Sequence, residues 1–398
     1  MGGVGTRRWA KFAKYLSRKN YEVHVLTINY NQIDKVNWLY DIDDNSNIIV
    51  HRIPSGYCNF ILYENKNLFQ KIISKLIYYI FKNTMFYIDI AQNWAKHMIP
   101  YASKLISEHN ISNVIVSSPP HSLAYQATYL KIQFPQINLI QDFRDNWNDD
   151  EYYAYQDSLK LFRHKEKSVY METFTIQHSD WIVNITQDLT TRLCLRYPLY
   201  EKKFKTIYNG FDYDDISKDF NEDNIASEKI KIVYCGSLDS GRIKAIYMIL
   251  KSINDLNLNH LFELNIYTSY QKSKIDIDYI NFLDKLVFFH DFIPPKDILK
   301  VISTQDYCLS INSPIYPYAF GTKIFDYMML NKKIIHISED GELSKVLFGA
   351  NQYVSNYNDF NIRKMVLRIV DERNSYCVND YNDFNINSLT SKIEDLLV

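Results

Sequence analysis

The feature that most constrains this chain is an alternation of short apolar stretches with segments of helical spacing. It runs once, breaks, and begins again. In the first run the strand-like stretches are YEVHVLT (21–27), NIIVHRI (47–53), NVIVSS (113–118), NLIQDF (138–143), WIVNIT (181–186) and KTIYNG (205–210). Between them Trp9, Phe12 and Leu16 share one helical face, and Trp94, Met98, Ala102 and Leu105 share another. Residues 122–134 and 164–179 read as two further helices. After an acidic, polar stretch (212–229) the second run brings KIKIVYCG (229–236), FELNIYT (262–268), LVFFHD (286–291), DYCLSIN (306–312) and KKIIHIS (332–338). Its helices start near Ile243, Asp276, Pro295 and Gly321, and a last one covers 362–373. Strands that are apolar from end to end and joined by helices predict parallel sheets covered on both faces. Two such runs predict an α/β chain of two doubly wound, Rossmann-like domains facing a cleft. The expected domains are 1–208 and 209–380, with a tail or helix at 381–398.

Ligands of such sheets bind beyond the carboxyl ends of the strands, often at helix N-termini. Composition removes other classes. Among 398 residues the formal net charge is −1, which gives no general attraction to nucleic acid. Five cysteines, at 58, 194, 235, 308 and 377, are odd in number and widely spaced, so neither a disulfide framework nor a zinc cluster is expected. A reducing cytoplasm fits. No run approaches 18 apolar residues and nothing at the start reads as a signal peptide.

The loops after the strands hold the candidate site. GGVGTR offers Gly3 and Gly5 before the first helix, but Arg8 stands where a dinucleotide fingerprint needs a third glycine, and no acidic ribose partner follows. No strand precedes it, so the first domain is expected to lack its first strand. Arg7 and Arg8 are either ligand-facing or solvated. His121, in VSSPPHS (116–122), and Arg144 with Asp145, in QDFRDNW (141–147), sit at strand ends where a cleft is lined. A local ion-pair cluster of Arg144 with Asp142 and Asp145 is the plainer alternative. Asn209 and Gly210 form a tight turn between the two runs. In the second run Gly236 ends a strand, and Arg242 and Lys244 stand near the next helix start, where two cations suit a diphosphate. At 321–335 the order is Gly321, Thr322, Lys323 and then Asp326. Helix-start amides and Lys323 suit a phosphate, and Asp326, on the same face, suits a ribose diol. Phe325 and Met329 read as core. DYDD (212–215) reads as solvated.

Taken together these motifs resemble the family 4 retaining glycosyltransferases. That family's C-terminal signature runs roughly E-x-F-G-x4-E-A-M-A-x-G-x-P-V-I, against YAFGTKIFDYMMLNKKII here. Phe320 and Gly321 match, Asp326 takes the place of the second glutamate, and Tyr318 that of the first. Asn331 and Lys333 replace its glycine and proline. GGVGTRRW is similar to the family's glycine loop and first helix, and VSSPPHS with DFRDNW to a branch found in surface polysaccharide assembly. HSDWIVNIT and YNGFD also fall where the family has them.

The resemblance implies a GT-B fold and transfer of a sugar, with retention, from a nucleotide-diphosphate sugar to a glycan or lipid-linked acceptor. It implies no cofactor and no metal. Gly3 and Gly5 would lie against donor phosphates or acceptor, and Arg242 and Lys244 would bind the diphosphate. Gly236, Tyr318, Phe320, Gly321, Thr322 and Lys323 complete the donor side, and Asp326 would hold the ribose. Arg144 and Asp145 appear where the family has a catalytic-side histidine, with His121 beside them. Two alternatives remain open: a sugar-nucleotide epimerase on the same fold, and a catalytically silent binding subunit, for which Tyr318 in place of a carboxylate speaks.

Residues 67–83 are apolar with Lys71, Lys75 and Lys82 interleaved. This segment either packs on the first domain's sheet or lies on the inner face of a membrane.

Overall fold

The computed structural model describes residues 4–29, 39–42, 46–54, 67–81, 88–89, 91–92, 94–149, 162–216, 228–268, 286–291, 293–375 and 378–398. The chain divides into two compact units, Met1–Tyr208 with Leu389–Val398, and Asn209–Ser388. In chain order the first unit holds α1 (Val4–Arg18), β1 (Val23–Asn29), β2 (Ile48–Pro54), α2 (Leu68–Phe81), α3 (Trp94–His109), β3 (Asn113–Ser118), α4 (His121–Gln133), β4 (Asn138–Phe143), α5 (Phe162–Gln177), β5 (Trp181–Asn184), α6 (Gln187–Arg196) and β6 (Phe204–Thr206). The second holds β7 (Ile230–Cys235), α7 (Ile243–Asp255), β8 (Phe262–Tyr267), β9 (Val287–His290), α8 (Pro295–Ser303), β10 (Tyr307–Ile311), α9 (Thr322–Met329), β11 (Lys333–Ile337), α10 (Glu342–Gly349), β12 (Tyr353–Ser355) and α11 (Asp359–Asp371). A last helix, α12 (Ile386–Glu394), begins in the second unit's span and ends in the first's.

Every strand pair among the described residues is parallel, as apolar strands joined by helices require. The second unit has one sheet of order β12-β11-β10-β7-β8-β9. The chain therefore runs outward from β7 to β9, returns to β10 beside β7, and runs outward the other way. The β7/β10 boundary is the topological switch point, where ligands bind in such sheets. Among the described residues the first unit has two sheets, β1-β2 and β3-β4-β5-β6. Set against the doubly wound order 3-2-1-4-5-6, β2 and β1 take places 3 and 2, and β3, β4 and β5 take places 4, 5 and 6. No described strand stands at place 1, the one that would feed the glycine-rich turn into α1.

Helices cover these sheets by their apolar stripes. In α7 the buried Ala245, Ile246, Ile249, Leu250 and Ile253 recur at helical spacing against Ile232, Leu264 and Leu309. Each buried Ile or Leu contributes about 1.5–3 kcal/mol. Three expectations change, and a fourth lies outside the described residues. Residues 381–398 are not one tail: Phe211 pairs with Asn385 inside the second unit, while Asn138 Nδ2 donates to Leu396 O (2.7 Å) and Lys19 pairs with Glu394 inside the first. Asp212, read as solvated, is fully buried, and its carboxylate caps the short turn that follows by accepting from Asp214 N. The helix expected near Asp276 lies outside the described residues. Finally, α6, α10 and β12 were not expected.

Candidate functional site

In the second unit the loops after β7 and β10 meet at the switch point. Ser313 Oγ donates to Ser240 O (2.6 Å), which ties one loop to the other. Gly241 bends the first loop with φ +82°, a left-handed conformation open to glycine at no steric cost. Asn312 holds the second loop by donating to Pro317 O (2.9 Å) and Ala319 O (2.8 Å). A Cβ on Gly341 would stand 2.4 Å from Pro317 O, so only glycine lets β11's following segment approach this loop. Tyr234 donates from its hydroxyl to Ser237 O, and Tyr357 donates to Asn312 O.

Onto this frame fall the expected donor-side residues. Arg242 is half-buried, donates to Asp239 O (3.1 Å), and acts by its charge on both Tyr234 and Tyr357. Burial pushes the Tyr357 hydroxyl up to about 12, against the opposing pull of Arg242. Lys244 is exposed on the first turn of α7. The amides there are already used: Ile243, Lys244 and Ala245 donate to the carbonyls of Leu238, Gly241 and Arg242. An anion at α7 would therefore meet side chains rather than free backbone. At α9 the arrangement differs. Gly321 heads the helix, exposed and without a side-chain cap, so Thr322 and Lys323 present first-turn amides. The Lys323 ammonium acts on the Cys235 thiol at the end of β7, which burial pushes up to about 12. Arg242 and Lys323 thus act by charge on successive residues, Tyr234 and Cys235, at the end of β7, and Gly236 leaves it, donating its amide to Tyr267 O.

One donor-side expectation, that Phe320 lines the site, needs correction, and Asp326 is already paired. Asp326 is 2% exposed, and Lys323 Nζ pairs with its Oδ2 at 3.1 Å. The two residues predicted to face a phosphate and a ribose face each other, as an i,i+3 pair on one helix face. Phe320 is buried and stacked near Phe325 and Phe384, so it packs the core and does not line a surface. Tyr318 is also buried, with its ring edge-on to Tyr316.

In the first unit the strand ends of β3 and β4 carry the other candidates. Arg144 donates to Pro119 O from its side chain and to Ser118 O from its amide. Of the alternative cluster of Arg144 with Asp142 and Asp145, the Asp142 carboxylate is taken by Arg8 instead. Asp142 is fully buried and pairs with Arg8 (3.0 Å), with further hydrogen bonds from Trp9 Nε1 (2.6 Å) and Ser117 Oγ (3.1 Å). Arg8 is correspondingly buried and also donates to Tyr208 O. A charge that seemed open to solvent instead locks α1 to β4. The rest of the 144–149 loop is pinned. Asn146 donates to Leu189 O, Trp147 is buried, and Asp149 pairs with Arg192. Arg144 and Asp145, half-buried, are held out on a rigid base.

His121 is buried, stacked on Trp147 (5.2 Å between ring centres) and edge-on to Phe143. Burial, and then the Arg144 charge, push it down to about 3, so it is neutral at physiological pH and cannot serve as an acid there. Asp89 supports its helix by accepting from Ser122 N (2.9 Å) and Ser122 Oγ (2.6 Å). Gly5 lies in the first turn of α1, which begins at Val4, and not in a turn ahead of it. Gly3 lies outside the described residues. Gly210 takes φ +74°, and Asn209 opens the second unit.

Comparison with known structures bears on what this frame is. A glycosyltransferase from Rickettsia africae aligns over 99% of this chain and 94% of its own, with TM-score 0.62 at 15% identity. HepE of Anabaena, solved with UDP, aligns over 94% of this chain and 98% of its own, with TM-score 0.58 at 11% identity. The fold is GT-B. By sequence, the capsular polysaccharide biosynthesis glycosyltransferase CapH of Staphylococcus aureus is 26% identical over 232 residues, 57% of this chain. The chain matches 59% of that relative's length. No protein-family model matches.

Within the GT-B frame, sequence reasoning missed three residues. Asn312 and Gly341 shape the loop ahead of α9, and Asp142 anchors α1. The asparagine just after β10 was a readable signal. The glycine approach and the Arg8 pairing join residues far apart in the chain and gave none.

Proposed function

We propose that this protein is a glycosyltransferase that moves a sugar, with retention, from a nucleotide-diphosphate sugar to a glycan or lipid-linked acceptor in surface polysaccharide assembly. The observation that carries the reading is the gathering of Arg242, Lys323 and the uncapped start of α9 at the switch point of the second unit's sheet. The HepE structure with UDP and the name of CapH support it.

Breaking a nucleotide-sugar bond leaves an oxocarbenium-like ring and a departing diphosphate. On this reading the diphosphate is met by Arg242, by Lys244 from the exposed first turn of α7, and by the amides of Thr322 and Lys323. A well-placed donor of this kind is worth about 3 kcal/mol. These cations and amides supply the charge that a divalent metal would, so the reading assigns no metal or cofactor. Lys323 turns from Asp326 to the diphosphate when donor binds, which leaves Asp326 for the ribose. Gly236 keeps the strand end open, Tyr318 and Phe320 support the loop, and Gly210 with Asn209 provide the turn between units. In the first unit Arg144 and Asp145 act on the acceptor side. His121 positions Trp147 and the loop beneath them, and Gly3 and Gly5 lie near the bound substrates.

α2 adds a surface for a lipid-linked acceptor. Its Leu68 (77%), Phe69 (69%) and Tyr79 (70%) are exposed, and the two lysines described in it, Lys71 and Lys75, are exposed too. Among its residues only Ser74 is buried. A helix packed on the sheet would hide its apolar side chains, so contact with an anionic membrane face is favoured. No helix among the described residues is long and apolar enough to cross a membrane.

The test is a donor screen. Calorimetry with nucleoside diphosphates, then nucleotide release from a panel of nucleotide sugars, should find one base that binds and one sugar that turns over. Arg242→Ala is expected to weaken nucleotide binding at least tenfold. No binding of any nucleoside diphosphate would defeat the reading. Binding without turnover on any acceptor would favour a silent subunit, the second reading, which the buried Tyr318 in place of a carboxylate motivates. Isomerised donor would mark an epimerase.

A further inference from the structure

Three histidines and a glutamate gather at the opposite end of the first unit's strands from the candidate site. Glu22 precedes β1, His24 is its second residue, His51 lies on β2, and His109 ends α3 just before β3. The β1/β2 register pairs His24 with Ile49 and Leu26 with His51, so side-chain alternation puts His24 and His51 on one face, diagonally adjacent. His24 Nδ1 lies 2.9 Å from His51 Nε2, and His24 Nε2 lies 2.7 Å from Glu22 Oε1. The His109 ring is centred 4.2 Å from that of His24. One ligand atom from each of Glu22, His24 and His109 lies within 4.8 Å of the other two. The His24 side chain is 4% exposed and Glu22 63% exposed, so the group is anchored within and open without.

We propose that Glu22, His24 and His109 bind a divalent transition-metal ion of the zinc type, with His51 orienting His24. The donor set, two imidazoles and a carboxylate, is one zinc accepts with a water in the fourth place. Tetrahedral bonds of about 2.1 Å put ligand atoms about 3.4 Å apart, a closure that side-chain rotation supplies from the present spacing. Metal binding asks both His24 and His51 to exchange tautomer, with the ring contacts kept. The ionised Glu22 carboxylate only accepts, so His24 carries its proton on Nε2 and accepts at Nδ1 from His51. A metal on Nε2 takes that proton's place. His24 then carries its proton on Nδ1 and donates to His51 Nε2, which holds the ring in line. The bound ion ties the start of β1 to the end of α3. This is a bracing role, at the amino ends of the strands, and it is independent of nucleotide-sugar binding.

The test uses the tag-free chain, stripped with chelator, dialysed, and titrated with ZnCl2 by calorimetry at pH 7.5. One equivalent is expected to bind with Kd on the order of 1 μM or tighter. His109→Ala and Glu22→Gln, both at exposed side chains, are each expected to weaken binding at least tenfold. His51→Ala should weaken it about tenfold and His51→Gln, whose amide oxygen still accepts from Nδ1, should restore it. Magnesium in excess should not compete, because it demands oxygen ligands. Absence of saturable binding, or an unchanged isotherm in His109→Ala, would overturn the site, and far-UV circular dichroism of each variant separates lost ligands from lost fold.

Discussion

Asp142 accepts hydrogen bonds from Arg8, Trp9 and Ser117 and has no exposure to solvent. Removing one partner of a buried pair leaves the other charge uncompensated, so Asp142→Ala is expected to cost about 3–5 kcal/mol in urea unfolding. A loss under about 1 kcal/mol would show that solvent reaches the pair. His121 gives the second expectation at this scale. Its folded value of about 3 lies below the ordinary 6.5, so the unfolded chain takes up the proton first. The stability that neutral His121 contributes is complete above pH 6.5 and is lost as pH falls toward 3. His121→Gln removes that titration. Wild type should lose about 1.4 kcal/mol more per pH unit than the variant between pH 6 and 4. Equal slopes would mean that the wild-type imidazole is solvated. His336, buried and pushed down to about 4, is common to both and cancels.

Among the elements, α2 departs most from the behaviour of the others. Asn67 and Gln70 cap it reciprocally, Gln70 N to Asn67 Oδ1 (2.8 Å) and Asn67 N to Gln70 Oε1 (3.1 Å). The capping box helps form the helix locally, with only Ser74 buried and Ile73 and Ile77 half-buried beneath it. Full-length protein is expected to sediment with anionic vesicles more than with neutral ones. Phe69→Ser with Tyr79→Ser should reduce that binding at least tenfold, since each buried aromatic contributes about 1.5–3 kcal/mol. Binding that ignores both lipid charge and the double substitution would exclude α2 as the contact. Elements with strong period were legible within a residue or two: 113–118 and 138–143 are β3 and β4 as read. β12, with three residues, and α10, with eight, carry too few turns of pattern to be seen.

At the scale of the molecule, the two units each have their own sheet system and core clusters. Under the proposed function a nucleotide binds the second. UDP at 100 times its Kd is then expected to stabilise that unit by about 2.7 kcal/mol and to raise one calorimetric transition while leaving the other in place. A uniform shift of a single transition would show that the units unfold together. No shift with any nucleoside diphosphate would count against the functional reading.

The α/β class, the parallel pairing and the places of the carboxyl-end loops follow from local spacing, because periods of 2 and 3.6 dictate which faces are buried whatever lies far off in the chain. Which charges meet could not be read that way. Arg8 finds Asp142 across 134 positions, and Glu22, His24, His51 and His109 come together from three separate elements. Such partnerships depend on how strands and helices pack. Desolvation then decides whether each charge is a free ligand or part of the core.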